Sequence, residues 1–288
     1  MSEYIIFTDT ACDLSPEMLE SWGVICESLT FRFDGDSKEY ANGEMGAVEF
    51  YDKMRNGGVA KTAAVNSETF ANSFEKILKD GKDILYIGFS SGLSTTFNSA
   101  RLAALQLGEK YPERKIEVVD TLCASAGEGM ALYLAVEKKK AGASLSENAQ
   151  YIRDNILKVC HWFTVDDLVY LKRGGRVSPA AALFGNALGI KPVMHVDNEG
   201  HLVPVAKIRG RRNAIIEMAN RYGQLAEIPG AGPVFISHGD CEKDVNELKN
   251  ILLDRYGANV DIITYVGPVI GAHSGPGTLA LFFIGKER

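Results

Sequence analysis

Five hydroxyl side chains fall within seven residues at Ser90-Ser91-Gly92-Leu93-Ser94-Thr95-Thr96. A helix cap needs one side-chain acceptor, so this density points to an anion-binding turn. Residues 83–89 read as an apolar strand, and a helix follows to about residue 107. The hydroxyls therefore stand where free backbone N–H groups collect at a helix start, a place that favours phosphate, sulfate or carboxylate. A second concentration comes late: residues 266–277 hold four glycines, two prolines and His273 between two apolar runs. Gly permits close backbone approach and Pro fixes φ, so the sequence predicts a rigid loop with His273 at its centre. Gly88-Phe89-Ser90-Ser91-Gly92 also fits G-x-S-x-G between a strand and a helix, which offers Ser90 as a hydrolase nucleophile with His273 as its base. No HGGG-type segment precedes the motif and no acidic residue stands out as a third member, so hydrolysis is the alternative reading.

Other chemistries have little to rest on. Neither G-x-x-x-x-G-K-[ST] nor G-x-G-x-x-G after a strand occurs, so the common ATP and dinucleotide sites lack support. His161, His195, His201, His238 and His273 show no metal-ligand spacing, and the five cysteines form no C-x-x-C pair. No metal, cofactor or disulfide framework is expected. A formal charge of −6 argues against general nucleic-acid binding. No apolar run reaches the ~18–20 residues of a membrane span and the N-terminus lacks a leader pattern, so no stable membrane insertion and a cytoplasmic location are expected. Against the acidic background, basic residues gather beside glycine turns at Arg173 and Arg176 and along Lys207, Arg209, Arg211 and Arg212. Such clusters suit a docking face for an acidic partner.

The elements that must carry these groups follow from periodicity. Strand patterns at 4–7, 83–89 and 116–119 alternate with helix patterns at about 16–22, 67–79, 96–107, 124–141 and 144–159, and residues 24–33 are β-rich. This predicts βαβ units around a mostly parallel sheet flanked by helices. Thr62 falls in a loop leading to the helix at 67. In the second half, a strand at 160–164, a short helix at 166–171 and a helix at 178–188 precede a hairpin across Asp197-Asn198-Glu199-Gly200. Strands at 234–238, 260–265 and 278–284 and helices to about 226 and at 242–256 complete a mixed sheet. The prediction is a two-domain α/β protein, residues 1–160 and 161–288, with a ligand cleft between the halves.

Five ordered motifs carry a resemblance. They are Thr8-Asp9-Thr10-Ala11-Cys12-Asp13-Leu14; Ser90-Ser91-Gly92-Leu93-Ser94-Thr95-Thr96; Val119-Asp120-Thr121; Asp167-Leu168 through Leu171-Lys172-Arg173-Gly174-Gly175-Arg176-Val177-Ser178; and Gly267 through His273 to Gly277. Together they resemble the DegV family of fatty-acid-binding proteins, which work with a bacterial fatty acid kinase, and the likeness spans the whole chain. Thr62-Ala63-Ala64-Val65-Asn66 stands where the family has T-S-Q-P-S, and Thr95 replaces a usual Gly. The resemblance implies a non-enzymatic, cytoplasmic carrier. A long-chain fatty acid would lie in an apolar tunnel at or near the domain interface, and a separate ATP-binding kinase subunit would convert it to an acyl phosphate for phospholipid synthesis. Thr62, Ser91, Ser94 and His273 would bind the carboxylate, with Arg176 assisting. Arg173, Lys207, Arg209 and Arg211 would dock the kinase. Leu183, Phe184, Leu188, Val269 and Ile270 are candidates for the tunnel wall, with core packing as the alternative.

Overall fold

A computed structural model describes residues 3–178 and 189–288. In chain order the first half runs β1 Tyr4–Asp9, α1 Pro16–Ser21, β2 Val24–Glu27, β3 Thr30–Phe33, β4 Tyr40–Ala41, α2 Ala47–Arg55, β5 Ala60–Ala63, α3 Ser67–Lys79, β6 Asp83–Gly88, α4 Thr96–Lys110, β7 Ile116–Asp120, α5 Ala126–Lys140 and α6 Leu145–Asn155. The second half runs β8 Val159–Thr164, α7 Val169–Arg173, β9 Ile190–Val196, β10 Leu202–Arg209, α8 Arg211–Leu225, β11 Val234–His238, α9 Glu242–Tyr256, β12 Ile262–Tyr265, α10 Pro268–Ser274 and β13 Leu279–Ile284. The first sheet, β2-β1-β6-β7, is parallel throughout. From β1 the chain moves outward to β2, and from β6 it moves outward the other way to β7. The crevice at the C-terminal ends of β1 and β6 is therefore a topological switch point, where open α/β sheets bind ligands. The second sheet, β10-β9-β8-β13-β11-β12, is antiparallel except for β11–β12. A small antiparallel sheet, β4-β3-β5, completes the fold.

The two large sheets share α5. Its first turns carry Ala126, Gly127, Glu128, Gly129, Met130, Ala131 and Leu132, all buried. A helix buried on every side must face packed neighbours on every side, and one core cluster accordingly joins Ile6 and Leu85 of the first sheet, Met130 and Ala131 of α5, and Phe163 and Phe282 of the second. On the far face of the first sheet, Phe7, Phe70, Phe74, Tyr86 and Phe97 form an aromatic core with Phe31, Phe33 and Phe50. A third core lies between the second sheet and α8 and α9.

The two-sheet α/β architecture agrees with the sequence reading, and several local expectations are corrected. Residues 266–277 do not form a loop: Pro268 opens the helix α10, with Gly267 as its N-cap and Gly275 at φ 82° as its C-cap. Pro at the first helical position starts a helix because its fixed φ suits the turn and its missing N–H is not needed there. Thr62 lies on the edge strand β5 opposite Phe31, not in a loop. The β-rich stretch is divided: β2 joins the parallel sheet and β3 joins the small one. The helix expected to reach 159 stops at Asn155 and gives way to a 3-10 turn, Ile156–Lys158. Asp167 accepts the Val169 N–H at 2.8 Å, which starts α7 three residues later than the pattern suggested. A domain division after residue 160 falls two residues inside β8. The helix expected at 178–188, with Leu183, Phe184 and Leu188, lies outside the described residues apart from Ser178.

The α5 sandwich gives a test. A Cβ on Gly127 would stand 2.0 Å from His161 Nε2. In an exposed helix, Gly→Ala stabilises by ~0.8–1 kcal/mol; here overpacking of ~1–3 kcal/mol outweighs that gain. Gly127→Ala is expected to lower the urea midpoint, and a raised midpoint would mean that the two sheets do not clamp α5 at this point.

Candidate functional site

The loops at the ends of β1 and β6 are held by carboxylates. Asp9, fully buried, accepts from Tyr86 Oη at 2.6 Å, Ala11 N at 3.1 Å and Phe89 N at 3.2 Å. Asp120 Oδ1 accepts from Ser91 N at 3.2 Å and Leu122 N at 3.1 Å. These bonds answer backbone groups that strand ends leave unpaired and hold residues 89–95 over a cavity of about 490 Å³. That volume falls within the ~300–1,000 Å³ of small-molecule sites. Phe89, Leu93, Phe163, Leu171, Val196 and Phe282 are among its apolar walls.

Thr62, Ser91, Ser94, Arg176 and His273 all line this one cavity, and so do Val269 and Ile270. They come from β5, the β6–α4 loop, the turn after α7, and α10. Ser94 is also engaged at the helix start: its Oγ accepts Thr96 N at 3.2 Å and pairs with Thr96 Oγ1 at 2.9 Å, just ahead of α4, whose N-cap is Thr95. Ser91 and Thr95 are exposed, so the polar end is the mouth of the cavity.

His273 does not stand free in the cavity. Its Nε2 lies 2.8 Å from Thr62 Oγ1, and its Nδ1 is buried without a partner. Burial, aided by the positive charge of Arg176, pulls its pKa down to about 4, so the ring is neutral near pH 7. A buried orphan N–H is a rarer defect than an unused lone pair, which assigns the proton to Nε2. His273 then donates to Thr62, leaving the Thr62 hydroxyl proton for the cavity. The fit needs glycine at 174, where a Cβ would lie 2.1 Å from His273 Nδ1. Arg176 is half-buried, and burial lowers its pKa. It donates from Nε to Leu93 O at 3.1 Å and from Nη1 to Gly174 O. Among the described residues it makes no ion pair, so the cavity mouth carries a cation without its anion.

The nucleophile reading of Ser90 fails on geometry. Ser90 has no exposed surface; its Oγ donates to Gly200 O at 2.9 Å and accepts Gly92 N at 3.2 Å. It ties the β6–α4 loop to the β9–β10 turn, it does not line the cavity, and the imidazole expected to activate it is bonded to Thr62. Arg211, expected at a docking face, is instead an internal brace: it donates to Asp244 Oδ2 at 2.8 Å and Gly277 O at 2.6 Å and lies 3.8 Å from Asp166. Arg173, Lys207 and Arg209 are exposed. Among the described residues no cluster of His, Cys, Asp and Glu could hold a metal ion, and no helix is long and apolar enough to cross a membrane.

Sequence reasoning missed a polar chain on the cavity wall. Ser125 Oγ lies 2.6 Å from Asp13 Oδ2 and 2.9 Å from Ser237 Oγ, and both serines line the cavity. Burial raises the Asp13 carboxyl to about 7, against the pull of its bonds to Ser125 and Gly267. Asp13 and Ser125 both take positive φ, 54° and 55°, at ~1–3 kcal/mol each for non-glycine residues. The opening motif already contained Asp13; nothing in the sequence marked Ser125 or Ser237.

The tucked imidazole is testable. A base whose folded-state pKa is depressed contributes stability above its unfolded value near 6.5, and that contribution is lost as pH falls through the folded value. An NMR titration should show one neutral His273 signal from pH 6 to 8 and a midpoint near 4; a midpoint near 6.5 would reject the arrangement. Gly174→Ala should displace the ring and change that signal at pH 7.

The family model described as "Uncharacterised protein, DegV family" matches residues 4–286. A DegV domain-containing protein of Clostridium perfringens is 39% identical over 296 residues, covering 100% of this chain and 99% of its own. A DegV family protein of Thermus thermophilus described for its fatty acid binding superposes with a TM-score of 0.88 at 29% identity, over 99% of this chain and 100% of that one. A DegV lipid-binding protein of Thermotoga maritima gives a TM-score of 0.86 at 29% identity, over 99% of each chain. With a family match and a relative of that identity both running nearly end to end, this chain belongs to the DegV family.

Proposed function

We propose that this protein binds a long-chain fatty acid, with the acyl chain in the cavity and the carboxylate at its mouth. It then presents that carboxylate to a separate ATP-dependent kinase subunit. The carrying observation is Arg176, half-buried at the mouth of a largely apolar cavity and in no ion pair with an acidic group among the described residues. Leaving a buried charge unpaired is costly, and a ligand carboxylate supplies the missing anion. Ser91 and Thr62 offer hydroxyl donors beside it, Ser94 holds the α4 start in place, and His273 acts through Thr62. The fatty-acid and lipid binding described for the Thermus and Thermotoga proteins supports the same reading.

Affinity and orientation come from different parts of the ligand. Burying about fifteen methylenes at ~0.8 kcal/mol each gives on the order of 12 kcal/mol before the costs of association. The head group fixes direction, leaving the carboxylate near the exposed Ser91 and Thr95. There the carboxylate oxygen would attack the γ-phosphorus of ATP, the new O–P bond forming as the bond to the bridging oxygen breaks and ADP leaves, with the kinase and its Mg²⁺ supplying charge neutralisation and positioning. The acyl phosphate would feed phospholipid synthesis. Arg173, Lys207 and Arg209 are the residues we assign to docking of the kinase, and Arg211 is removed from that set. A cytoplasmic site of action follows from the need for ATP.

Native mass spectrometry of the purified protein is expected to find a co-purifying or added long-chain fatty acid at one per chain. Thr62→Val and Arg176→Met should each weaken palmitate binding by about tenfold and lower acyl-phosphate formation in a reconstituted kinase assay. A protein that takes up no fatty acid, or variants that bind and turn over like wild type, would reject the assignment. Charge reversal at Lys207 and Arg209 should weaken kinase binding with lipid uptake intact; equal loss of both would remove the docking face.

A further inference from the structure

We infer that Asp13, together with Asn42, is a positioning residue for the head-group end of the site, because these two side chains cap α10 from outside and so set where His273 meets Thr62. The ligand in this inference rests on the carrier reading above; the geometry does not.

α10 cannot cap itself. Its N-cap is Gly267, which has no side chain, and Pro268 has no N–H. Gly267 N donates to Asp13 Oδ1 at 3.0 Å and Val269 N donates to Asn42 Oδ1 at 3.0 Å. Both acceptors come from the first 42 residues of the chain, so the helix start is held by groups remote in sequence. The preceding strand is tied in the same way: Thr264 Oγ1 donates to Asp13 O at 2.7 Å, and Tyr51 Oη donates to Val266 O at 2.7 Å. Asn42 is itself fixed, with Nδ2 donating to Thr10 O at 3.0 Å. The glycine spacing reflects these contacts. A Cβ at 267 would lie 2.7 Å from Asp13 Oδ1, and one at 271 would lie 2.5 Å from Tyr51 Oη.

The consequence reaches the site because α10 is short and stiff. His273 sits in its last turn, a few residues at 1.5 Å rise from the capped end. The 2.8 Å contact between His273 Nε2 and Thr62 Oγ1 is the only hydrogen bond that ring makes among the described residues. A slip of ~1 Å in the helix start would carry it past hydrogen-bonding distance. The other Asp13 oxygen accepts from Ser125 Oγ, which pairs with Ser237 on the cavity wall. One carboxylate thus joins the acyl wall to the helix that bears the head-group histidine.

The test compares Asp13→Ala, Asp13→Asn, Asn42→Ala and Asn42→Asp, using palmitate as the ligand and the His273 imidazole NMR signal as a ligand-free readout. Asp13→Ala and Asn42→Ala are expected to lower palmitate affinity about tenfold and to shift the His273 signal in the apo protein. Asp13→Asn keeps an acceptor for Gly267 N and a group for Ser125, so it should restore most of the affinity and the signal; Asn42→Asp keeps the acceptor for Val269 N but loses the donor to Thr10 O, so it should restore only part of both. If the alanine variants lower the melting temperature but leave the His273 signal and the palmitate affinity of the folded protein unchanged, the inference is overturned. Should Asp13→Ala not fold, the Asn42 pair decides. If wild type binds no palmitate, the carrier reading fails, and the His273 signal alone settles the positioning.

Discussion

A hydrogen bond between Thr62 and His273 joins the edge strand of the smallest sheet to the last turn of a two-turn helix, 211 residues apart in the chain. Everything around it serves to bring those two atoms together and keep the ring neutral. Burial and Arg176 suppress protonation of His273, and Gly174 removes the one Cβ that would block it. A neutral imidazole can spend its single N–H on Thr62, which frees the threonine hydroxyl to donate elsewhere. A protonated ring in the same place would be a second buried cation next to Arg176, and the mouth of the cavity would then be held open by repulsion.

The shared helix explains why the cavity exists at all. Two sheets packed directly against one another would interleave their inner side chains into a solid core ~10 Å thick. Here α5 separates them, and the close approach at Gly127 and Gly129 keeps that separation small near the helix start. Beyond the start of α5, at Ala124 and Ser125, no helix among the described residues fills the space between the sheets, and the cavity lies there. Sheet spacing, set by the small residues of one helix, thus fixes the room available at the strand ends. The switch point between β1 and β6 determines which strand ends open into it.

Much of this was legible in the sequence. The alternation of strands and helices gave the first sheet, the turn chemistry of Asp197-Asn198-Glu199-Gly200 gave the β9–β10 hairpin, and the hydroxyl cluster after β6 gave one side of the cavity. What failed did so for identifiable reasons. Glycine and proline around His273 were read as breakers, yet proline at the first helical position and glycine at both caps describe a short helix equally well. Thr62 became part of a strand only because Phe31 and its neighbours pair with it, a tertiary effect that local pattern does not carry. Ser90 matched a nucleophile motif, but its role is set by Gly200, far away in the chain and invisible to a five-residue pattern. Ser125 and Ser237 meet only through the packing of α5 on the second sheet.

In the carrier reading, the balance of charge at the mouth suits presentation of the head group rather than storage. A carboxylate clamped in a buried, bidentate arginine pair would be tightly held and weakly nucleophilic, since the pair stabilises the anion it is asked to spend. Arg176 gives two of its five N–H donors to the Leu93 and Gly174 carbonyls. Three donors remain for an anion, with hydroxyl donors beside them. In the carrier reading, that leaves tail burial to provide affinity and leaves the head group available to attack the partner's phosphoryl donor. The same reasoning accounts for Ser91 and Thr95 being exposed while Asp13, Ser125 and Ser237 are buried. In that reading, polar groups that meet a partner's reagents must stay accessible. Those that only hold the walls in place gain strength from the low dielectric around them.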